Sequence, residues 1–385
     1  MFHVNQQHSP RIAAHLLLLV AVFAQGTALA AVLPEDRSEL LYHSYEGGGV
    51  TINGPSVLVR KQFAETVSVW GNYYVDMVSS ASLDVLTQGS AYTEERTETG
   101  GGIDYLHDRT TMSLSYTRSI ETDYEASTVG IGISQEFFGD LSTLTLGYSQ
   151  GNDTVMRNGD ENFSQPAQHQ RFSLGFTQIL TKNWIMSFSA ETVSDTGFLN
   201  NAYRQVRLSQ VGGLSTPFES YPTTHNSDAY ALRSMYYLPY RAALRAEVRT
   251  YTDSWGVKSN NYELRYIHPY KDQWIFETKY RAYSQNQADF YASVFTEPRE
   301  FMASDKEMSA FSDFTLGLGA SYEVKADWAS VFDKLTLNLY WDYMSFDYDN
   351  YPNKTPENTQ EFGLGNEPAY SFSANVIRFF VSVWY

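Results

Sequence analysis

From Val67 onward the chain alternates. Val67, Val69, Tyr73, Val75 and Met77 interleave with Ser68, Trp70, Asn72, Tyr74 and Asp76, and Met112, Leu114 and Tyr116 interleave with Ser113, Ser115 and Thr117. Successive strand side chains point to opposite faces, so each stretch presents one apolar face and one polar or small face. The rhythm returns in "RFSLGFTQIL", "DAYALRSMYYL", "AALRAEVRTYT", "WIFETKYRAYS" and "KLTLNLYWDYMSF". It predicts fourteen strands, near residues 65–78, 95–107, 110–121, 125–137, 142–152, 168–180, 184–195, 227–238, 242–253, 260–268, 273–284, 312–324, 334–347 and 370–385.

The connections sort by length. Short turns such as "HDR", "FGDL", "TKN", "PYR" and "HPYKD" alternate with long segments, 79–94, 153–167, 196–226, 285–311 and 348–369, rich in Asn, Asp, Gly, Pro and Ser. A soluble sandwich has no reason to sort its loops this way, whereas outer-membrane barrels have short periplasmic turns and long outer loops. The expected fold is therefore all-β, a transmembrane antiparallel up-and-down β-barrel of about fourteen strands over residues 65–385, with both termini in the periplasm. The only long apolar run, "LLLLVAVFA" after Arg11, is too short to span a bilayer and precedes "TALA", the small-residue pattern of a signal-peptide cleavage site. Residues 1–30 are read as a signal peptide.

Two ends of the mature chain carry specific expectations. Residues 31–64 include Gly47, Gly48 and Gly49, which permit close backbone approach, followed by Val50, Ile52, Val57 and Val59. They read either as a periplasmic or lumen-inserted plug or as a further pair of strands. The chain ends in "NVIRFFVSVWY", with Phe379, Val381, Val383 and Tyr385 on one face. Such a strand closes a barrel by pairing with the first one, and its aromatic terminus looks like the signal read by the outer-membrane assembly machinery.

Composition narrows the chemistry. Net charge is −17, which speaks against nucleic acid as a partner, and the absence of cysteine removes disulfides and thiolate metal sites. No two histidines lie at ligand spacing, no serine sits in a nucleophile motif, and no catalytic, cofactor or metal residue is assigned. The loop carboxylates Asp289, Glu297, Glu300, Asp305, Glu307, Asp347 and Asp349 lack EF-hand spacing and read as a solvated surface rather than a calcium site.

The inward charges are more informative. With Leu232, Leu244, Val248, Leu264, Trp274 and Phe276 facing lipid, alternation puts Arg233, Arg245, Glu247, Arg249, Glu263, Arg265, Glu277, Lys279 and Arg281 in the lumen. Pairing each hairpin about the centre of its connection sets Arg233 beside Glu247, Glu247 beside Arg265, Arg265 beside Glu277, and Arg249, Glu263 and Lys279 in a second row of alternating sign. Opposite charges across strands stabilise by roughly 0.2–1 kcal/mol each. The rows read either as charges satisfied along a wall or as a constriction with a transverse field.

The stretches "YHSYEGGGVTINGPSVLVRK", "NYYVDMVSSASLDV", "DYLHDRTTMSLSYT", "MYYLPYRAALRAEVRTYTDSWG" and "YSFSANVIRFFVSVWY" resemble hallmark segments of the domain of unknown function 3570 family, from about Tyr42 to Tyr385. The resemblance implies an outer-membrane barrel without an established activity. Family genes lie beside a small lipoprotein, a thioredoxin-like protein and a flavin transferase, which implies a lipoprotein or periplasmic redox partner. The chain lacks the flavin-attachment pattern, so no flavin is expected on it. Two functions from different classes remain: a channel for small polar solutes, and a scaffold for such a partner.

Overall fold

The computed structural model describes residues 32–80, 92–325 and 332–385. The expected signal peptide lies outside the described residues. The first strands are β1 (Arg37–Gly47), β2 (Val50–Phe63), β3 (Val67–Ser80), β4 (Tyr92–His107), β5 (Thr110–Ile120) and β6 (Tyr124–Phe137). Next come β7 (Ser142–Met156), β8 (Ser164–Thr181), β9 (Trp184–Gly197), the short β10 (Leu208–Gln210) and β11 (Gly213–Ser215), and β12 (Thr224–Tyr237). The last are β13 (Ala243–Asp253), β14 (Lys258–Tyr270), β15 (Trp274–Gln285), β16 (Phe311–Val324), β17 (Lys334–Pro352) and β18 (Ala369–Trp384), with one helix, α1 (Pro356–Phe362), between the last two.

Among the described residues, sixteen strands close into an antiparallel barrel in which each pairs with its neighbour in sequence and β1 pairs with β18. β10 and β11 form a separate hairpin inside the β9–β12 loop. The expectation of fourteen strands is corrected by β1 and β2. Residues 37–63 do not plug the lumen; they are wall, and Gly48 and Gly49 form their two-residue turn with φ of 58° and 77°. Positive φ at both central residues gives the turn whose twist matches that of a hairpin. A Cβ on Gly47 would stand 2.2 Å from that of Ala374 on β18.

Alternation decides which side faces out. Leu232, Leu318 and Ile131 are 48%, 54% and 56% exposed, while their sequence neighbours turn toward the lumen. Tyr148, Phe172, Tyr230 and Tyr262 mark one edge of this apolar belt, and the next outward residues on the same strands, Gln150, Gln170, Asp228 and Asn260, are polar. Tyr148 and Phe172 pack at 4.8 Å between ring centres. Val381, Phe379 and Leu337 share the outer face. Tyr385 fastens the end of β18: its hydroxyl lies 3.2 Å from Ser38 Oγ and donates to the Arg60 carbonyl at 3.3 Å.

β2 and β3 approach closely at one point. A Cβ on Gly54 would stand 1.8 Å from the Val75 carbonyl oxygen, whereas at Gly71 the nearest such atom is 3.7 Å away. Gly54→Val is expected to destabilise the folded barrel by about 1–3 kcal/mol through overpacking. Gly71→Ala is expected to leave the urea unfolding midpoint unchanged; equal midpoints for the two variants would contradict the close approach.

Candidate functional site

The lumen has two unlike walls. On β5 to β9 the inward positions are small and hydroxylated, among them Ser113, Ser115, Gly130, Gly132, Gly147 and Ser173. Glycine and serine interlock there: Cβ atoms added to Gly130, Gly132 and Gly147 would stand 2.6, 2.4 and 2.6 Å from the hydroxyls of Ser115, Ser113 and Ser173. The serines are half-buried rather than buried. A lumen filled by its own side chains would bury them, so space remains beside this wall.

The adjoining wall carries the charges. All nine residues Arg233, Arg245, Glu247, Arg249, Glu263, Arg265, Glu277, Lys279 and Arg281 lie on the inward face of β12 to β15, but their register departs from the alternating rows. Arg233 does stand opposite Glu247. Between β13 and β14, however, Arg245 faces Arg265 and Glu247 faces Glu263, and between β14 and β15 Arg265 faces Lys279 and Glu263 faces Arg281. Each of the last two hairpins is slipped by two residues from the charge-matched register. Long side chains reach diagonally instead: Arg265 contacts Glu263 at 3.1 Å and Glu277 at 2.9 Å, Arg245 contacts Glu247 at 3.2 Å, and Lys279 reaches Asp342 at 2.8 Å. Arg249 reaches Glu191 at 3.6 Å and Arg281 reaches Asp313 at 2.7 Å. Turn and backbone geometry set the register, and side-chain length absorbs the mismatch.

At the loop end a folded cap covers the charged side. Tyr221 from the β9–β12 loop, Trp255 from the β13–β14 turn, Phe290 and Tyr291 from the β15–β16 loop, and Tyr348 and Tyr351 of β17 form one buried cluster. Tyr221, Trp255 and Phe290 meet at centroid distances of 5.2–5.4 Å, and such aromatic pairs contribute about 0.5–1.5 kcal/mol each beyond their buried area. A second cluster joins Val206 and Leu208 to Phe295 and Met302. Arg204 pairs with Asp305 and Arg207 with Glu367, so the same loops are also tied by charge. Glu219 accepts from the Ser304 N–H at 2.7 Å and from the Tyr221 hydroxyl at 2.9 Å.

Between this cap and the rims of β2 to β9 lies a vestibule of about 1120 Å³, with Glu121, Tyr124, Arg157, His169, Phe198 and Tyr203 on its walls. Tyr203 bridges it, donating to Asp123 and accepting from the Asn158 N–H at 2.7 Å. Burial and then the neighbouring Asp123 push the Tyr203 hydroxyl up to about 12. A chain of hydrogen bonds runs along the rim: His169 lies 2.9 Å from Asp153 and 2.8 Å from Asp195, and His225 lies 3.0 Å from Asp195 and 3.1 Å from Asp253. Both nitrogens of each ring meet a carboxylate, an arrangement suited to the doubly protonated imidazolium. Spacing along the chain gave no sign of this group. Its signal is the register that sets His169 opposite Asp195 and Asp195 opposite His225.

The loop carboxylates considered for calcium do not converge: Asp305 pairs with Arg204, and Glu307 with Lys306 at 3.3 Å. Among the described residues, three other carboxylates, Glu94, Glu121 and Asp123, come within 4.8 Å of one another on the far rim. Thr122 donates to Glu94 at 2.6 Å and Tyr203 donates to Asp123, so hydroxyls serve part of this group.

Glu219 makes the cap sensitive to pH. Burial, and then the charge of Asp305, raise its carboxyl from 4.5 to about 7. A folded-state value above the unfolded one means that the folded cap binds more protons between these limits, so stability is fully present below about 4.5 and is lost as pH rises through about 7. Glu219→Gln keeps an acceptor for the Ser304 N–H without the charge. It is expected to slow proteolysis of the loops at pH 8 and to have no effect at pH 4; protection independent of pH would contradict the assignment.

Comparison with known proteins places this architecture. Among solved structures the chain is similar to a bacterial polysaccharide outer-membrane secretin, with a TM-score of 0.50, 6% identity, and 92% of this chain and 100% of that one covered. It is also similar to a FadL homologue from Pseudomonas aeruginosa (TM-score 0.42, 8% identity, 91% and 90% covered) and to the siderophore receptor PirA from the same organism (TM-score 0.43, 10% identity, 82% and 57% covered). The chain spans little more than half the length of the siderophore receptors it matches. No curated protein matches it. The family described as protein of unknown function (DUF3570) matches residues 86–173 and 160–344, which is more than half of the chain, and the protein belongs to that family.

Proposed function

We propose that the protein is a channel in the outer membrane of a Gram-negative bacterium, through which small polar solutes pass beside the hydroxyl wall of the lumen. The apolar belt with its aromatic edge supports the membrane setting, because only a closed barrel lets strands cross lipid without unpaired backbone groups. The observation that carries the pore reading is the half-buried serine and glycine wall of β5 to β9, which continues around the ring into the charged wall of β12 to β15. Solutes enter by the vestibule over the hydroxyl wall, where the cap leaves its opening. In this reading the long loops face outward, both ends of the described barrel lie in the periplasm, residues 1–30 are removed on export, and Phe379, Val381, Val383 and Tyr385 serve the assembly machinery.

The scaffold reading keeps one observation. Val211 and Leu214 at the β10–β11 hairpin are fully and largely exposed on a cap that is otherwise well folded, which suits a fixed surface for a lipoprotein or periplasmic redox partner less well than for a partner outside the cell.

Two measurements test the main reading. Phe379→Arg is expected to cost about 2–4 kcal/mol of barrel stability in lipid, while Thr145→Arg, on the inward face and exposed to the lumen, is tolerated; equal costs would remove the membrane assignment. In a planar bilayer the purified protein is expected to conduct, and Arg265→Glu to shift ion selectivity toward cations, with Glu277→Arg in the same chain partly restoring it. A folded barrel that gives no conductance would favour the scaffold.

A further inference from the structure

The slipped register leaves a feature that alternating rows would not have. Arg245, Arg265 and Lys279 stand directly opposite one another on three adjacent strands, a rung of like charge in a protein of net charge −17. Arg265 has two carboxylates, Glu263 and Glu277, but those of its neighbours on the rung are shared. Glu247 serves both Arg233, at 2.6 Å, and Arg245; Asp342 serves both Lys279 and, at 2.9 Å, Arg378 of β18. The Nε donors of Arg245, Arg265 and Arg378 are buried without a hydrogen-bond partner. A buried donor without an acceptor is costly, so the wall here is short of hydrogen-bond acceptors.

Beside it the wall opens into a niche of about 220 Å³, where Arg265, Lys279 and Arg378 face only two carboxylates, Glu277 and Asp342. Gly317 makes the room: a Cβ there would stand 2.3 Å from Asp342 Oδ1 and 2.8 Å from Lys279 Cε. Tyr340 and Phe380, stacked 5.9 Å apart with 5° between their planes, form an apolar side, and the Arg378 guanidinium lies 5.6 Å from the centre of the Tyr340 ring. At about 30 Å³ per water molecule, the niche has room for a small organic acid rather than a single ion. Arg378 is 42% exposed, so the niche is reached from the lumen.

We propose that this niche is a subsite for small organic carboxylates, whose oxygens Arg265, Lys279 and Arg378 bind while the carbon skeleton lies against Tyr340 and Phe380. Resting on the reading of the lumen as a solute path, it names the class of solute that the path favours. Planar guanidinium groups match carboxylate geometry, and the aromatic side distinguishes an organic acid from phosphate.

Calorimetric titration of the full-length protein, folded in detergent at low ionic strength, tests the subsite with sodium benzoate and, separately, sodium phosphate. Saturable benzoate binding is expected, tighter than that of phosphate. Lys279→Gln and Arg378→Gln should each weaken it about tenfold or more, the loss of a charge-assisted hydrogen bond. Gly317→Ala, which fills the niche without changing charge, should weaken it as well, and Arg118→Gln on the outer wall should not. Absent saturable binding to the wild type, preference for phosphate, or equal benzoate affinity in all these variants would overturn the proposal. A barrel that binds benzoate in this pattern and does not conduct keeps the subsite and loses the pore; conductance without benzoate binding does the reverse.

Discussion

The pairing of β1 with β18 is the interaction on which the rest depends. Eleven residue pairs, from Arg37 with Trp384 to Gly47 with Ala374, join the first strand to the last. Without them β1 and β18 would each expose a row of backbone donors and acceptors, and an open edge is costly in lipid and invites aggregation in water. Closure also fixes the inside. Once the ring is complete, alternation along every strand assigns each side chain to the outer surface or the lumen, and no local rearrangement can exchange them.

Fourteen of the sixteen strands were legible because their period is two and their flanks are polar. β1 and β2 were harder for a physical reason. β2 holds Asn53, Gly54 and Pro55 in its middle, a group that reads as a turn, and Pro55 has no N–H to give to the ladder. The structure accommodates them because Gly54 lets the β3 backbone come close, something that only the partner strand reveals. The charged wall was legible as a set of residues and not as pairs. Charge matching favoured one register, and the turn geometry imposed another two residues away, at Arg245 with Arg265 and at Arg265 with Lys279.

The rim and the cap show the limit of reading along the chain. His169, Asp195 and His225 lie on three strands, two of them separated by the long loop that holds β10 and β11, so their contact depends on how far that loop reaches rather than on any spacing. The cap likewise draws Tyr221, Trp255, Phe290 and Tyr351 from four separate segments. Loops rich in Asn, Gly and Pro appeared solvated; their few aromatic residues, gathered by closure of the barrel, are enough to build a core over the charged wall. The same gathering leaves the hydroxyl wall uncovered, which is why the vestibule lies on that side.

Net charge and local charge therefore point in opposite directions. Many of the carboxylates that make the chain acidic lie exposed on the loops, as at Asp160 and Glu307, where water and salt screen them over a Debye length of about 8 Å at physiological ionic strength. The cationic rung lies deeper, where side chains are only partly exposed and screening is weaker. An anion approaching the mouth meets a screened repulsion, and one that reaches the wall meets a less screened attraction. Selectivity in such a lumen follows from where charge is placed relative to solvent rather than from its sum, so an acidic protein can hold a site that favours acids.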